Sequence, residues 1–220
     1  MHFVRVSEGT AAAQKLAAII NSVLAHGQRV TWLVSGGSAA QIAVEAQKHI
    51  TLSDKLTVMQ VDERYGAVGH ADSNWKKLLD AGFDDKKFHC LPMLTGKSFT
   101  DTVYDYQAAM VAAYQQSGLV VGLFGIGADG HTAGILPNSA AFQAGSALVT
   151  GYHGPDFWRI TITPAAITHL KAAIVYAIGA DKRNALQGLQ IDKSPVAEPA
   201  QLLKQIPEIW LYNDQIGDVR

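Results

Sequence analysis

One cysteine, Cys90, stands alone in the chain, so no disulfide can form within it. It lies in Phe88-His89-Cys90-Leu91, where apolar neighbours point to a buried structural thiol rather than a nucleophile. Charge is scarce too: 17% of residues are charged and the formal net charge is -1. That balance gives no basic field for nucleic acid or an anionic membrane surface, so an anionic ligand must be held by local groups. No run approaches about eighteen consecutive apolar residues, and the start of the chain lacks a charged segment leading into a long apolar core. A cytoplasmic protein with no membrane segment and no nucleic-acid partner is expected, its oligomeric state left open. The eight histidines are scattered, with no helical i, i+4 pair and no cysteine cluster, so no metal is expected.

What is present is a chain of 220 residues, 48% hydrophobic, long enough to bury one sizeable core and with no linker or repeat to divide it. One domain over residues 1–220 is expected. Short runs rich in Val, Ile, Leu and aromatics alternate with longer Ala-rich stretches of helical period, the pattern of parallel strands joined by crossover helices. The strands are expected at Phe3 to Val6, Val30 to Val34, Leu56 to Val61, Val120 to Phe124, Trp158 to Ile162, Ile174 to Ile178 and Ile209 to Tyr212. Helices are expected at Thr10 to Ala25, Ala39 to His49, Asn74 to Asp80, Thr102 to Gln116, Pro164 to Lys171 and Lys182 to Gly188. Thr10, Thr102 and Thr163 are candidate caps, the last with Pro164 at the first helical position.

In open parallel sheets, ligands bind beyond the carboxyl ends of the strands, so chemistry is sought in the residues just past each strand. Val34 leads into Ser35-Gly36-Gly37-Ser38 and an Ala-rich helix, which gathers hydroxyls and helix N-terminal amides as a phosphate cradle would. Gly-Gly after a strand also serves as a plain tight turn, and no Gly-Lys-Ser/Thr comes after it to make a Walker loop. Val61 leads into Asp62-Glu63-Arg64-Tyr65, read as leaving the strand for a loop that ends at Ser73-Asn74. Arg64 could clamp a phosphate or an oxyanion, or make a local ion pair.

Phe124 leads into Gly125-Ile126-Gly127-Ala128-Asp129-Gly130-His131-Thr132-Ala133-Gly134-Ile135-Leu136-Pro137. Glycine lets this backbone bend sharply and approach a ligand, while an acid two residues before an imidazole points to general-base chemistry. The segment fits the bare dinucleotide pattern, but it comes after the wrong strand and puts an acid where pyrophosphate would lie. Ile178 leads into Gly179-Ala180-Asp181-Lys182-Arg183, where a lysine at a helix start opposes the dipole unless an anion is near; a solvated surface lysine is the alternative.

Taken with Arg159-Ile160-Thr161-Ile162-Thr163, these segments resemble, in order and spacing, the 6-phosphogluconolactonase family within the wider glucosamine-6-phosphate isomerase/deaminase group. The resemblance implies an α/β, single-domain, Rossmann-like three-layer sandwich with a mostly parallel sheet. It also implies hydrolysis of 6-phospho-D-glucono-1,5-lactone to 6-phosphogluconate without a cofactor. By the same likeness His131 is the general base oriented by Asp129, and Ser35, Gly36, Gly37, Ser38, Asp62, Arg64, Asn74, Gly127, Gly130 and Lys182 bind substrate or its phosphate, with Arg159 a weaker candidate. Two departures border the expected pocket: Tyr65-Gly66-Ala67-Val68-Gly69-His70 lacks the family's usual Val-Pro, and Gly134-Ile135-Leu136 replaces Ser-Leu-Phe. Two rivals remain. One is a glucosamine-6-phosphate isomerase or deaminase using Asp62, although Ile135-Leu136-Pro137 stands where that type has Asn-Glu-Pro. The other is a non-catalytic sugar-phosphate sensor.

Overall fold

The computed structural model describes residues 1–217. Along them run β1 (His2–Arg5), α1 (Thr10–Ala25), β2 (Val30–Val34), α2 (Ala39–Ala46), β3 (Leu56–Gln60), β4 (Asp62–Arg64), α3 (Asn74–Asp80) and β5 (His89–Leu91). The second half adds α4 (Phe99–Gln116), β6 (Leu119–Phe124), β7 (Val149–His153), β8 (Trp158–Ile162), α5 (Pro164–Thr168), β9 (Ala172–Ala177), α6 (Arg183–Gly188) and β10 (Glu208–Asn213).

Seven strands form a sheet in the order β1-β10-β9-β6-β2-β3-β5, and each neighbouring pair is parallel. Helices cover both faces, which is why the central strands β2, β6 and β9 are buried along their whole length, and largely apolar, rather than alternating with exposed polar residues. Successive side chains still point to opposite sides. Trp32, Val34, Val121, Leu123 and Ile174 pack against α1, α2 and α3, whereas Leu33, Met59, Val120, Phe124 and Val175 pack on the side of α4, α5 and α6. This is the expected three-layer α/β sandwich.

The second layer contains a feature that hydrophobic period does not reveal: a small antiparallel sheet in the order β4-β8-β7. Trp158 to Ile162 is a strand as expected, but it is the middle of this sheet and not a member of the parallel one. Asp62-Glu63-Arg64 is not the start of a loop either. It pairs with Thr161, Ile160 and Arg159, and only Val61 separates it from β3, so one run of chain crosses from the large sheet into the small one. Val61 spans the corner by donating to Val34 O at 2.9 Å and accepting from Ile162 N at 2.8 Å.

Several helix ends also differ. Gly9, not Thr10, stands at the N-cap of α1. Helix α4 begins at Phe99 under a Ser98 cap, and Thr102 lies inside it, donating its hydroxyl to Ser98 O at 2.8 Å. Helices α2 and α5 stop at Ala46 and Thr168, short of the expected His49 and Lys171. Lys182 closes a 3-10 turn, Ala180–Lys182, before α6 begins at Arg183. Thr163 does cap α5, accepting from Ala166 N with Pro164 in the first turn.

The strand order fixes where a ligand can sit. From β2 the chain passes to β3 on one side, and after β5 it returns as β6 on the other side of β2. Loops leaving β2 and β6 therefore diverge, opening a crevice at their carboxyl ends.

Candidate active site

The turn after β6 is shaped around its acid and its imidazole. His131 Nδ1 lies 2.6 Å from Asp129 Oδ1, and the same oxygen accepts the His131 backbone N–H at 3.1 Å. With the carboxylate accepting at Nδ1, that nitrogen carries the hydrogen and a neutral ring keeps its lone pair on Nε2. Gly127 is required, because a Cβ there would lie 2.1 Å from His131 Nδ1 and 2.6 Å from Asp129 Oδ1. Gly130 takes φ +81, and its N–H donates to Gly127 O at 3.0 Å. Farther on, Thr132 Oγ1 donates to Gly125 O at 3.0 Å and Gly134 N donates to Thr161 Oγ1 at 3.0 Å, so the turn is pinned to its own strand and to β8. Ala133 sits at φ 50, a left-handed conformation costly for a residue with a Cβ. Burial weighs against ionisation of Asp129, but the His131 backbone N–H, ring charge and side-chain hydrogen bond outweigh it and hold the carboxyl below its usual range.

His131 forms one wall of a cavity of about 170 Å³ at the crevice between β2 and β6. Ser35, Gly36, Gly37 and Ser38 form another. Gly36 is packed so closely on Asn74 that a Cβ would lie 2.5 Å from its Oδ1, and Gly37 turns at φ +62 with open space beside it. Ser38 makes no side-chain cap on α2. Ser35, itself buried, and Ser38 both line the cavity.

From β4, Asp62 and Arg64 face the cavity together, as residues two apart on a strand must, and Glu63 faces away. Glu63 is fully buried and accepts from Asn74 N at 2.6 Å, Trp75 N at 3.0 Å, Ser73 Oγ at 2.9 Å and Gln60 Nε2 at 2.9 Å. It thus ties the start of α3 to β4. That places Asn74 on the cavity wall, where its Nδ2 donates to Asp62 Oδ2 at 3.0 Å. Burial pushes the Asp62 carboxyl up to about 6, against the opposing pull of Arg64 and, more weakly, of Arg159 and His131. Arg64 Nη1 donates to Asp72 O at 3.1 Å, and its Nε is buried without a partner among the described residues.

Lys182 completes the lining from the turn after β9. Its ammonium is 2.8 Å from Asp181 Oδ2, so the lysine at this helix start already has an acidic neighbour besides any ligand. Three residues singled out in the sequence are not on the cavity wall. Asp129 stands behind His131 and borders a neighbouring hollow with Leu136, Tyr152 and His153. Gly130 serves the turn itself, through its left-handed conformation and its backbone hydrogen bonds with Gly127 and Ala200. Arg159 is directed to Asp156, its Nη2 donating at 2.8 and 2.9 Å to the two carboxylate oxygens. The walls not anticipated, Gly125, Ile126 and Ala133, are apolar or backbone and carry no sequence signal apart from their place in the glycine turn. Among the described residues no group of three or more His, Cys, Asp or Glu is placed to hold a metal ion, and no helix is long and apolar enough to cross a membrane.

The sequence and the fold match known proteins. Residues 7–210 match the family model described as glucosamine-6-phosphate isomerases/6-phosphogluconolactonase. A 6-phosphogluconolactonase of Synechocystis is 28% identical over 211 residues, covering 90% of this chain and 88% of that one. A probable 6-phosphogluconolactonase of Schizosaccharomyces pombe is 32% identical over 186 residues, covering 75% of this chain and 72% of that one. The fold superposes with a TM-score of 0.79 on the crystal structure of a 6-phosphogluconolactonase from Thermotoga maritima, covering 96% of this chain and 99% of that one at 18% identity.

Proposed function

The chain belongs to the glucosamine-6-phosphate isomerase/6-phosphogluconolactonase family, and from that premise we propose that it hydrolyses 6-phospho-D-glucono-1,5-lactone to 6-phospho-D-gluconate, a step of the oxidative pentose phosphate pathway, in the cytoplasm. The observation that carries the reading is the Asp129-His131 pair, in which the carboxylate engages Nδ1 of an imidazole that lines a cavity together with Ser35, Ser38, Arg64 and Lys182.

His131 Nε2 takes a proton from water as the water oxygen adds to the lactone carbonyl carbon. Asp129 holds the ring and stabilises the imidazolium that forms. The tetrahedral intermediate then collapses, the bond from C1 to the ring oxygen breaks, and the imidazolium returns the proton to that oxygen. The product is a hydroxy acid, which ionises. The phosphate is held at a distance from the reacting carbon by Arg64, Lys182 and the amides and hydroxyls of Ser35 to Ser38. Holding it there fixes the carbonyl against the water, so that less freedom is lost at the transition state. In the isomerase-type alternative an acid would come after the turn, but Leu136 stands there and Ile135 is fully buried.

The test is hydrolysis of freshly generated lactone, corrected for spontaneous opening, by wild type and His131→Ala. The variant should lose roughly 10² to 10⁴ in kcat. Full turnover by the variant would remove His131 from the mechanism, and ammonia release from glucosamine 6-phosphate would revive the alternative.

A further inference from the structure

After Arg64 the chain makes a loop that returns to touch the residue it left. His70 Nε2 lies 2.8 Å from the Arg64 carbonyl oxygen, and Arg64 Nη1 donates to the carbonyl of Asp72 at 3.1 Å. A carbonyl can only accept, so Nε2 carries the hydrogen and His70 is the donor. Within the loop, His70 N donates to Ala67 O at 3.1 Å and Ser73 N to His70 O at 3.0 Å. Gly66 leaves the space the ring occupies, since a Cβ there would lie 2.9 Å from His70 Cδ2 and 3.0 Å from its Nε2. On the other side, Arg64 N donates to Glu63 Oε1 at 2.8 Å.

The main chain of Arg64 is thus clasped from both sides and the guanidinium of this cavity-lining residue is held at one nitrogen, while Nε stays buried and has no partner among the described residues. No proline restrains the segment from Tyr65 to Asp72. An unrestrained arginine would lose rotamer freedom on binding an anion, so fixing it beforehand strengthens binding.

We propose that His70 is a positioning residue: its hydrogen bond to the Arg64 carbonyl, made possible by Gly66, presets the Arg64 guanidinium for the phosphate of the substrate. This rests on the sugar-phosphate reading above. A ring that acts through Arg64 should affect binding and not the chemical step.

The experiment compares wild type, His70→Ala, His70→Gln, Gly66→Ala, Arg64→Ala and the His70→Ala/Arg64→Ala pair. It records kcat and KM for the phosphorylated lactone, and the Kd of 6-phosphogluconate by calorimetry. His70→Ala should raise KM and Kd about five- to tenfold with kcat within about twofold. Gly66→Ala should reproduce that by displacing the ring. His70→Gln, whose amide can still donate, should recover most of the loss, and the double variant should bind no worse than Arg64→Ala alone. Additive losses in the double variant would overturn the proposal, as would a fall in kcat at unchanged KM. If the wild type binds 6-phosphogluconate but does not open the lactone, the function fails while the Kd series still decides the role of His70. A wild type that binds neither overturns both.

Discussion

Asp62 and Glu63 show how one residue of register separates two chemically similar groups. Glu63 is turned inward to a full set of donors, whereas Asp62 is buried beside the cavity with Asn74 Nδ2 as its side-chain donor. Burial raises the Asp62 carboxyl from its ordinary 3.8 to about 6. A group whose native pKa lies above its unfolded one favours the fold while protonated. Its contribution is complete below about pH 4 and is lost as pH rises through about 6, a swing on the order of 3 kcal/mol. Asp62→Asn should therefore exceed wild type in urea-unfolding stability at about pH 7.5 and converge with it near pH 4. An equal difference at both pH values would mean that ionisation of Asp62 is not the cause. At this scale Asp129 and His131 were legible in the sequence because one short turn contains both. The split between Asp62 and Glu63 was not, because strand alternation says that they diverge and only the pairing of β4 with β8 says which faces the cavity. Whether Arg159 lines the pocket or makes a structural pair was open in the sequence for a related reason: its partner Asp156 lies in the connection between β7 and β8, and only the folded turn brings that carboxylate to the guanidinium.

Among the elements, the long apolar strands and the Ala-rich helices could be read from period alone, and β4, β5 and β7 could not. Asp62-Glu63-Arg64 has no apolar residue, His89-Cys90-Leu91 is too short to show a period, and Val149 to His153 carries a glycine that normally weakens a strand. Each is held by tertiary pairing and packing, which override local propensity. Helix α4 supplies an example at the end of β3. Beyond the last pair with β5, Met59↔Leu91, the backbone of Gln60 is met by Tyr106. The Tyr106 hydroxyl accepts from Gln60 N at 2.6 Å and donates to Gln60 O at 3.0 Å, so a side chain takes the place of the missing strand. Tyr106→Phe keeps the ring and leaves both buried groups unpaired. It should cost about 1–3 kcal/mol in denaturant unfolding. A cost near zero would mean that the end of β3 finds other partners, which would also loosen the Asp62 strand that continues from it.

For the molecule as a whole, the cavity is a product of connectivity. Its walls come from β4, the start of α3 and the loops after β2, β6 and β9, residues 35 to 182, and no single element carries enough of it to bind a sugar phosphate alone. The order of the motifs made this legible in outline, since each polar cluster comes directly after an apolar run and the switch point between β2 and β6 collects them. A site assembled from such distant segments exists only in the native state, so a ligand that fills it must stabilise the whole fold by mass action. At one hundred times its Kd, 6-phosphogluconate should add about 2.7 kcal/mol, which for a chain of this size is a rise of roughly 5–10 °C in Tm. Gluconate lacks the phosphate, and at the same concentration it should shift Tm by about a degree or less if the anion is the main anchor. Lys182→Ala should shrink the response to 6-phosphogluconate without lowering the Tm of the free protein much, because the ammonium it removes is paired with the exposed Asp181. Equal shifts from gluconate and its phosphate would move the binding energy to the sugar hydroxyls. The wall of Ser35 to Ser38 would then be a structural turn and not a phosphate cradle.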